Sequence, residues 1–408
     1  MNSVFNGIRV LDFSINIAGP VAAAMLGDFG ADVIKLEEPK MGDAARAFSP
    51  IIDGRSSQNL WTNRGKRSLA INLKDHKAVE VVHRLIETAD VMIESFRPGV
   101  MGSLGFGYDL AAKINPRMVY CSVSLFGQKG PLSKESGYDL IAQAKTGMMD
   151  TTGYPDGPPQ RNGFAIFDQS AAHNAFGGIA AALFHRERTG EGQYVDIGLF
   201  NCGFACNGFV EQALLGYPLT RTGDHHRNIN PYGSFTCRHG SIIIIAPTQK
   251  LWETICRLMD REDLITNPNF STSVARLKRL EETTQIIVGW LDSFQTLKDA
   301  EMLLKQNGIP CAKVNDTFEA IDTAVEADYG MLVDLEWPEE TGGMRSIKAR
   351  GAHIKLSKTP ASIKTGCPDL GADSRDILLE LGYNQQDAET MIANWNRLEG
   401  RQPERSRL

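Results

Sequence analysis

The sequence predicts an α/β protein of two domains, a large one built on a parallel sheet and a smaller one with its own strands and helices. Three observations point there. Over the first 200 residues, short apolar runs alternate with amphipathic segments, the pattern of repeated strand–helix–strand units. The chain has 408 residues, more than a single hydrophobic core normally serves. Around Gly223–Gly240 the alternation gives way to polar turns, after which a second set of strands and helices begins.

The elements follow in order. Ile8–Phe13 reads as a strand, and Pro20 suits the first turn of the next helix, where its missing N–H is unpaired in any case. That helix runs through Val21–Phe29 and stops at Gly30, a residue free to take the left-handed capping conformation. Ala31–Glu37 completes the first unit. The pattern repeats with strand Ser68–Leu73, Asp75 as N-cap, a helix to about Ala89 and strand Val91–Ser95. Met118–Ser124 is the next strand, helices are expected near Asp139–Met148 and Asp168–Arg188, and Tyr194–Leu199 is a further strand. Polar turns surround Ser234–Cys237; then Ser241–Ala246 gives a strand, three helical patterns occupy Leu251 to Asn307, and Ile309–Val314 is one more strand. Met331–Leu356 contains strand-like pieces around Gly342-Gly343, and two short helices near Arg375–Leu381 and Gln386–Asn396 precede a polar tail from Gly400. The expected organisation is a large domain of 1–200 with 330–408, a small domain of 225–325, and linkers at 201–224 and 326–329.

Composition narrows the function classes. Lys plus Arg number 43 and Asp plus Glu 49, for a net charge of −6. Such a chain has no global field drawing it to nucleic acid or anionic membrane, so a polyanionic ligand must be held locally. The seven cysteines are odd in number and irregularly spaced, which speaks for reduced thiols in a cytoplasmic protein. Cys202 and Cys206 lack the second pair that a zinc site needs, and no metal is expected. No signal peptide is visible at the N-terminus. The most apolar stretch, Ala171–Phe184, is interrupted by His173, Asn174 and two glycines and falls short of the roughly 20 residues that span a bilayer; a buried helix is expected there.

Common nucleotide motifs are missing. The loop after the first strand, Ser14–Pro20, lacks the G-x-G-x-x-G pattern whose glycines let a backbone approach a pyrophosphate, and no P-loop pattern occurs. No G-x-S-x-G elbow marks a hydrolase. His225-His226 reads as a solvated loop, and His173 and His185 as packed helix residues. Asp168 opens a helix of small residues with Gly177-Gly178 further along. As an N-cap, its oxygen would satisfy a free N–H. As a nucleophile, it would be kept ionised by the helix N-terminus, with the glycines admitting a thin ligand arm. The local sequence leaves both readings open.

The wider arrangement of motifs is more specific. The chain reads G-I-R-V-L-D-F from Gly7, A-G-P from Ala18, G-D-F-G-A-D-V-I-K-L-E-E-P from Gly27, N-R-G-K-R-S-L-A-I-N-L-K from Asn63 and E-S-F-R-P-G-V-M from Glu94. It continues with N-P-R-M-V-Y-C-S-V-S-L-F-G-Q-K-G-P from Asn115, G-Y-D-L-I-A-Q-A-K-T-G from Gly137, G-P-P-Q-R-N-G-F-A-I-F-D from Gly157 and T-G-E-G-Q-Y-V-D-I from Thr189. In this ordered set the chain resembles the family III CoA-transferases, which include formyl-CoA, carnitine and bile-acid CoA-transferases. The likeness is densest over residues 7–200, with weaker motifs at Gly308-Ile309-Pro310 and Leu381-Gly382-Tyr383.

The resemblance implies a large Rossmann-like domain and a smaller α/β domain, in an interlocked homodimer. It implies transfer of CoA from an acyl-CoA donor to a free carboxylic acid, with Asp168 as the covalent nucleophile, through an acyl anhydride and an aspartyl-CoA thioester. CoA enters as substrate, and no tightly bound cofactor is implied. Arg97, Phe96, Ile71, Lys74 and Leu104 match CoA-contacting positions, Tyr138 one near the thioester, and Ile17 with Tyr138 the acyl pocket. Departures are visible too. Glu38 and Ser103 stand where some members carry arginine, Ile17 replaces the glutamine of oxalate-using members, and Ile242–Gln249 lacks the glycine-rich loop that covers the nucleophile in formyl-CoA transferases. Ile17, Trp61 and Phe164 suit an apolar acid, whereas Arg46 or Arg161 would suit a second carboxylate. The rival readings are an α-methylacyl-CoA racemase of the same family and a non-catalytic acyl-CoA-binding protein. Racemases resembling this chain carry G-H-D where Gly137-Tyr138-Asp139 stands, and a phenol, ionising near ~10, is a poor neutral-pH base.

Overall fold

The computed structural model describes residues 3–338, 343–363 and 365–397. It separates into two compact units. The first comprises Met1–Thr146, Asn162–Gly208 and Asp328–Leu408, the second Gly147–Arg161 and Phe209–Ala327. The segment 147–161, assigned to the large domain from sequence, thus groups with the second unit. The stretch 201–224, expected as a linker, divides between the units at Gly208.

The first unit is organised by a six-stranded parallel sheet. Its strands are β1 (Arg9–Asp12), β2 (Asp32–Glu37), β3 (Arg67–Ala70), β4 (Val91–Glu94), β5 (Val119–Ser124) and β6 (Tyr194–Gly198). Their order is β3-β2-β1-β4-β5-β6. Leu11 pairs with Ile34 on one side and Met92 on the other, so β1 is central and the chain's direction of travel reverses between β1 and β4. Open parallel sheets bind ligands outside the carboxyl ends of their strands at such a switch point.

The helices form where caps and periodicity direct them. Helix α1 (Ala18–Asp28) places Pro20 in its first turn and ends ahead of Gly30, which has φ +100°. Helix α2 (His76–Thr88) begins at Asp75, whose carboxylate accepts from the Lys77 and Ala78 amides. Its Ala78, Val81, Val82, Leu85 and Ile86 are buried, the spacing of one helix face. Helix α3 covers Asp139–Lys145 and α4 Ile166–Thr189. The latter starts two residues before Asp168 and is buried along one face only. His173, His185 and Phe184 are exposed, because a helix lying on a sheet turns its far side outward. Gly177 lies on the open side, while a Cβ at Gly178 would meet Val195 of β6 at 2.9 Å, so Gly178 serves helix–sheet packing.

The C-terminal stretch closes the β3 edge of the sheet. The Ser68 amide donates to the Asp373 carboxylate at 2.8 Å and the Ala70 amide to the Ser374 hydroxyl at 3.0 Å. Ile377, Leu378, Met391 and Trp395 join the same core as Leu11, Ile34 and Met92.

In the second unit, an antiparallel sheet pairs β8 (Gly240–Ile245) with β7 (Tyr232–Cys237) and β9 (Cys311–Lys313). Its core gathers Phe235, Ile242, Ile244, Trp252 and Ile287. The expected strand Ile309–Val314 is shorter here, and two single-turn helices, Asp263–Thr266 and Ser273–Lys278, stand between the three expected ones. The pieces around Gly343 form a hairpin of β10 (Leu332–Pro338) and β11 (Met344–Arg350) in the first unit. Gly342 and the tail from Gly400 lie outside the described residues. His226 is exposed, but His225 is half-buried with its ring 5.2 Å from Phe235. No described helix is long and apolar enough to cross a membrane.

Candidate active site

The loops leaving β1 and β4 part at the switch point, and a cavity of about 540 Å³ opens between them. Ile15–Ala18 supply one wall and Ser95–Pro98 another, and Ser124, Tyr138 and Asp168 are among the residues that line the rest. A second cavity of about 220 Å³ lies beyond Phe96 and Ile15, which border both. The residues singled out from sequence divide between them. Asp168, Arg97, Tyr138 and Ile17 line the larger cavity, Ile71, Lys74 and Leu104 the smaller, and Phe96 both.

Each wall has a physical anchor. Asn16 adopts φ +68°, the left-handed region that asparagine tolerates better than most residues. Its amide donates to the Asp43 carboxylate at 2.9 Å, and Lys35 pairs with Asp43 at 3.0 Å. Burial alone would raise the Asp43 pKa, but Lys35 and the Ala45 and Asn16 amides overcome it and hold the group down at about 2. The β4 loop is tied to this wall by the Ile15 amide, which donates to Ser95 Oγ at 2.9 Å.

Asp168 is the third residue of α4, and it is not the cap. That helix has Ala165 at its N-cap position, with no side chain to offer. Its free amides at Phe167 and Asp168 donate instead to Asp139 Oδ1, at 2.7 and 3.3 Å. Gln143 Nε2 donates to the other Asp139 oxygen at 2.6 Å and orients it. The Asp168 carboxylate is left half-buried, and among the described residues no donor or cation reaches it. Burial first, and the negative Asp139 second, push its pKa up to about 7. The expectation that the helix start holds this group ionised is therefore corrected. Carboxylates pushed toward neutrality in a cavity wall are a feature that functional sites share.

Other expectations resolve plainly. Tyr138 is 71% exposed at the mouth of α3. Arg46 is engaged by Glu37 at 2.6 and 2.7 Å, so it is not a spare cation for an acid substrate. Trp61 lies outside both cavity linings and carries the Arg350 guanidinium 4.1 Å above its ring. Glu38 lines the smaller cavity with its carboxylate turned back on the Lys40 and Met41 amides. Asp139 was missed as a site residue. An acid in the first turn of a short helix was the available signal, but its partner amides lie 28 and 29 residues away.

This geometry, a switch-point cavity with an unpaired aspartate in its wall, belongs with the sequence match that residues 5–374 make to the model of CoA-transferase family III. The chain is a member of that family and an enzyme of the CoA-transferase class. It is 35% identical to the succinate–glutarate CoA-transferase of Agrobacterium fabrum, over 92% of this chain and 95% of that protein. It is 33% identical to the mouse (Mus musculus) succinyl-CoA:glutarate CoA-transferase, over 95% of this chain and 89% of that protein. Among solved structures, a CaiB/BaiF family protein from Brucella suis superposes with a TM-score of 0.83 at 30% identity, over 93% of this chain and all of that one.

Proposed function

We propose that this protein moves CoA from an acyl-CoA to a free carboxylic acid by covalent catalysis at Asp168, with a dicarboxylic acid as one exchange partner. The observation that carries the reading is the Asp168 carboxylate, unpaired and titrating near neutrality in the wall of the switch-point cavity. A carboxylate oxygen of Asp168 attacks the thioester carbonyl, the C–S bond breaks, and a mixed anhydride forms as CoA thiolate leaves. The thiolate attacks the aspartyl carbonyl, releasing the donor acid and leaving an aspartyl-CoA thioester. The acceptor carboxylate then attacks that carbonyl, expelling thiolate, and the thiolate takes the acceptor's acyl carbon, restoring Asp168. No proton is consumed over the cycle, and thioester energy is retained while water is kept out.

The CoA contacts are assigned on the same footing. Arg97 serves the phosphates as a charged fork, Phe96, Ile71, Leu104 and Lys74 the nucleotide end, and Tyr138 the thioester oxygen. Ile17 faces the acyl group. CoA is substrate here, not a resident cofactor, and the seven free thiols agree with a cytoplasmic setting. The dicarboxylate class is supported by the names of the two relatives, both of which pair succinate with glutarate. Large apolar side chains are exposed in both units, Phe184 in the first and Leu214 and Phe318 in the second, which supports a homodimer. The test is transfer from succinyl-CoA to glutarate by the wild-type chain and by Asp168→Asn. Glutaryl-CoA formed by the wild type alone supports the reading, and equal turnover by both proteins overturns it.

A further inference from the structure

Glu94 ends β4 with 4% of its surface exposed, and among the described residues no cation pairs with it. Three other buried acids, on β1, β2 and the end of α1, each have a counter-charge. Asp12 meets Lys66 at 2.7 Å, Glu37 meets Arg46, and Asp28 meets Arg64. A buried carboxylate without a counter-charge costs stability, so packing alone does not account for it. Burial first, and Asp196 on β6 besides, push its pKa up to about 7 against the hydrogen bonds from Ser122 and the Phe96 amide.

Its hydrogen bonds show what it holds. Glu94 Oε2 accepts from the Phe96 amide at 2.8 Å, closing the turn that carries Ser95, Phe96 and Arg97. Ser122, directly opposite on β5, hydrogen-bonds the carboxylate, and the Tyr194 hydroxyl on β6 is bonded to Ser122 Oγ at 2.8 Å. A row running across three strands therefore ends on the amide of Phe96, whose side chain borders both cavities.

We infer that Glu94 is the positioning residue of the CoA-binding turn, its carboxylate fixing the Phe96 amide so that Phe96 and Arg97 meet the nucleotide-bearing part of the donor. The inference rests on the CoA-transfer reading above. It makes Glu94 a determinant of donor affinity and not of the chemical step. A hydrogen bond to a charged acceptor, when lost, weakens binding about tenfold or more.

The test compares steady-state kinetics of the full chain with succinyl-CoA and with succinyl-pantetheine, which lacks the nucleotide. Glu94→Ala is expected to raise the succinyl-CoA KM about tenfold, to leave kcat within about twofold, and to leave kcat/KM for succinyl-pantetheine unchanged. Glu94→Gln, whose amide oxygen still accepts from Phe96, is expected to stay within about twofold of wild type throughout. Should the alanine variant not fold, Ser122→Ala replaces it, with the same split at about threefold. Equal losses on both donors, a fall in kcat at constant KM, or a glutamine variant as impaired as the alanine variant would overturn the inference. Wild-type transfer with an unchanged KM in the alanine or serine variant sinks this positioning role alone. A wild-type chain that neither binds CoA nor transfers it takes down the parent reading as well.

Discussion

A carboxylate that attacks a thioester must be ionised when the donor arrives, and Asp168 sits where ionisation is costly. Burial and Asp139 set its pKa near 7, so kcat/KM for transfer should rise with pH through that value and level off above it. The same shift predicts a stability effect of definite sign. Below pH ~4 the group is protonated in both the folded and the unfolded chain. Between ~4 and 7 the folded state binds the extra proton, so stability falls as pH rises, and above 7 the full penalty applies. Asp168→Asn removes that penalty. The variant should be more stable than wild type by roughly 2 kcal/mol at pH 8 and little different at pH 4, as thermal melts at the two values will show. A wild type that is the more stable at pH 8 would place Asp168 among the structural residues.

Helix α4 depends on an acid from another helix, and two substitutions probe that arrangement. Asp139→Asn keeps an oxygen for the Phe167 and Asp168 amides but removes the charge beside Asp168. The pH profile of kcat/KM should therefore shift to lower pH, with a modest fall in melting temperature because the new amide nitrogen faces the Gln143 Nε2 donor. Gly192, just before β6, accepts no side chain, since a Cβ there would lie 2.1 Å from the Met118 carbonyl oxygen. Gly192→Ala should destabilise the first unit by roughly 1–3 kcal/mol in urea titrations. Local signals made many elements legible from sequence. Pro20 and Gly30 bracket α1, Asp75 caps α2, and the apolar runs of β1, β2 and β4 lie within one or two residues of where they were expected. Asp168, Arg97, Phe96, Tyr138 and Ile17, singled out through the family resemblance and not through local patterns, do share a cavity. What local patterns could not carry was anything set by tertiary contact. The cap of α4 comes from 28 residues away, and the pKa of Asp168 follows from burial. Glu94 read only as a residue of the strand Val91–Ser95 and the first letter of the motif E-S-F-R-P-G-V-M.

At the scale of the whole molecule, the proposed homodimer is tested by assembly in solution. A homodimer should persist on sedimentation at nanomolar concentration, as an interlocked pair of chains would, and a monomer there would contradict the assembly without touching the chemistry. The central claim is that CoA passes through Asp168 as a covalent intermediate. Its most direct test is mass spectrometry of proteolysed enzyme after incubation with succinyl-CoA and hydroxylamine. The account predicts a hydroxamate on the peptide containing Asp168, formed only when donor is present and absent from Asp168→Asn. Continued turnover with no adduct at Asp168, or an adduct confined to another residue, would contradict it.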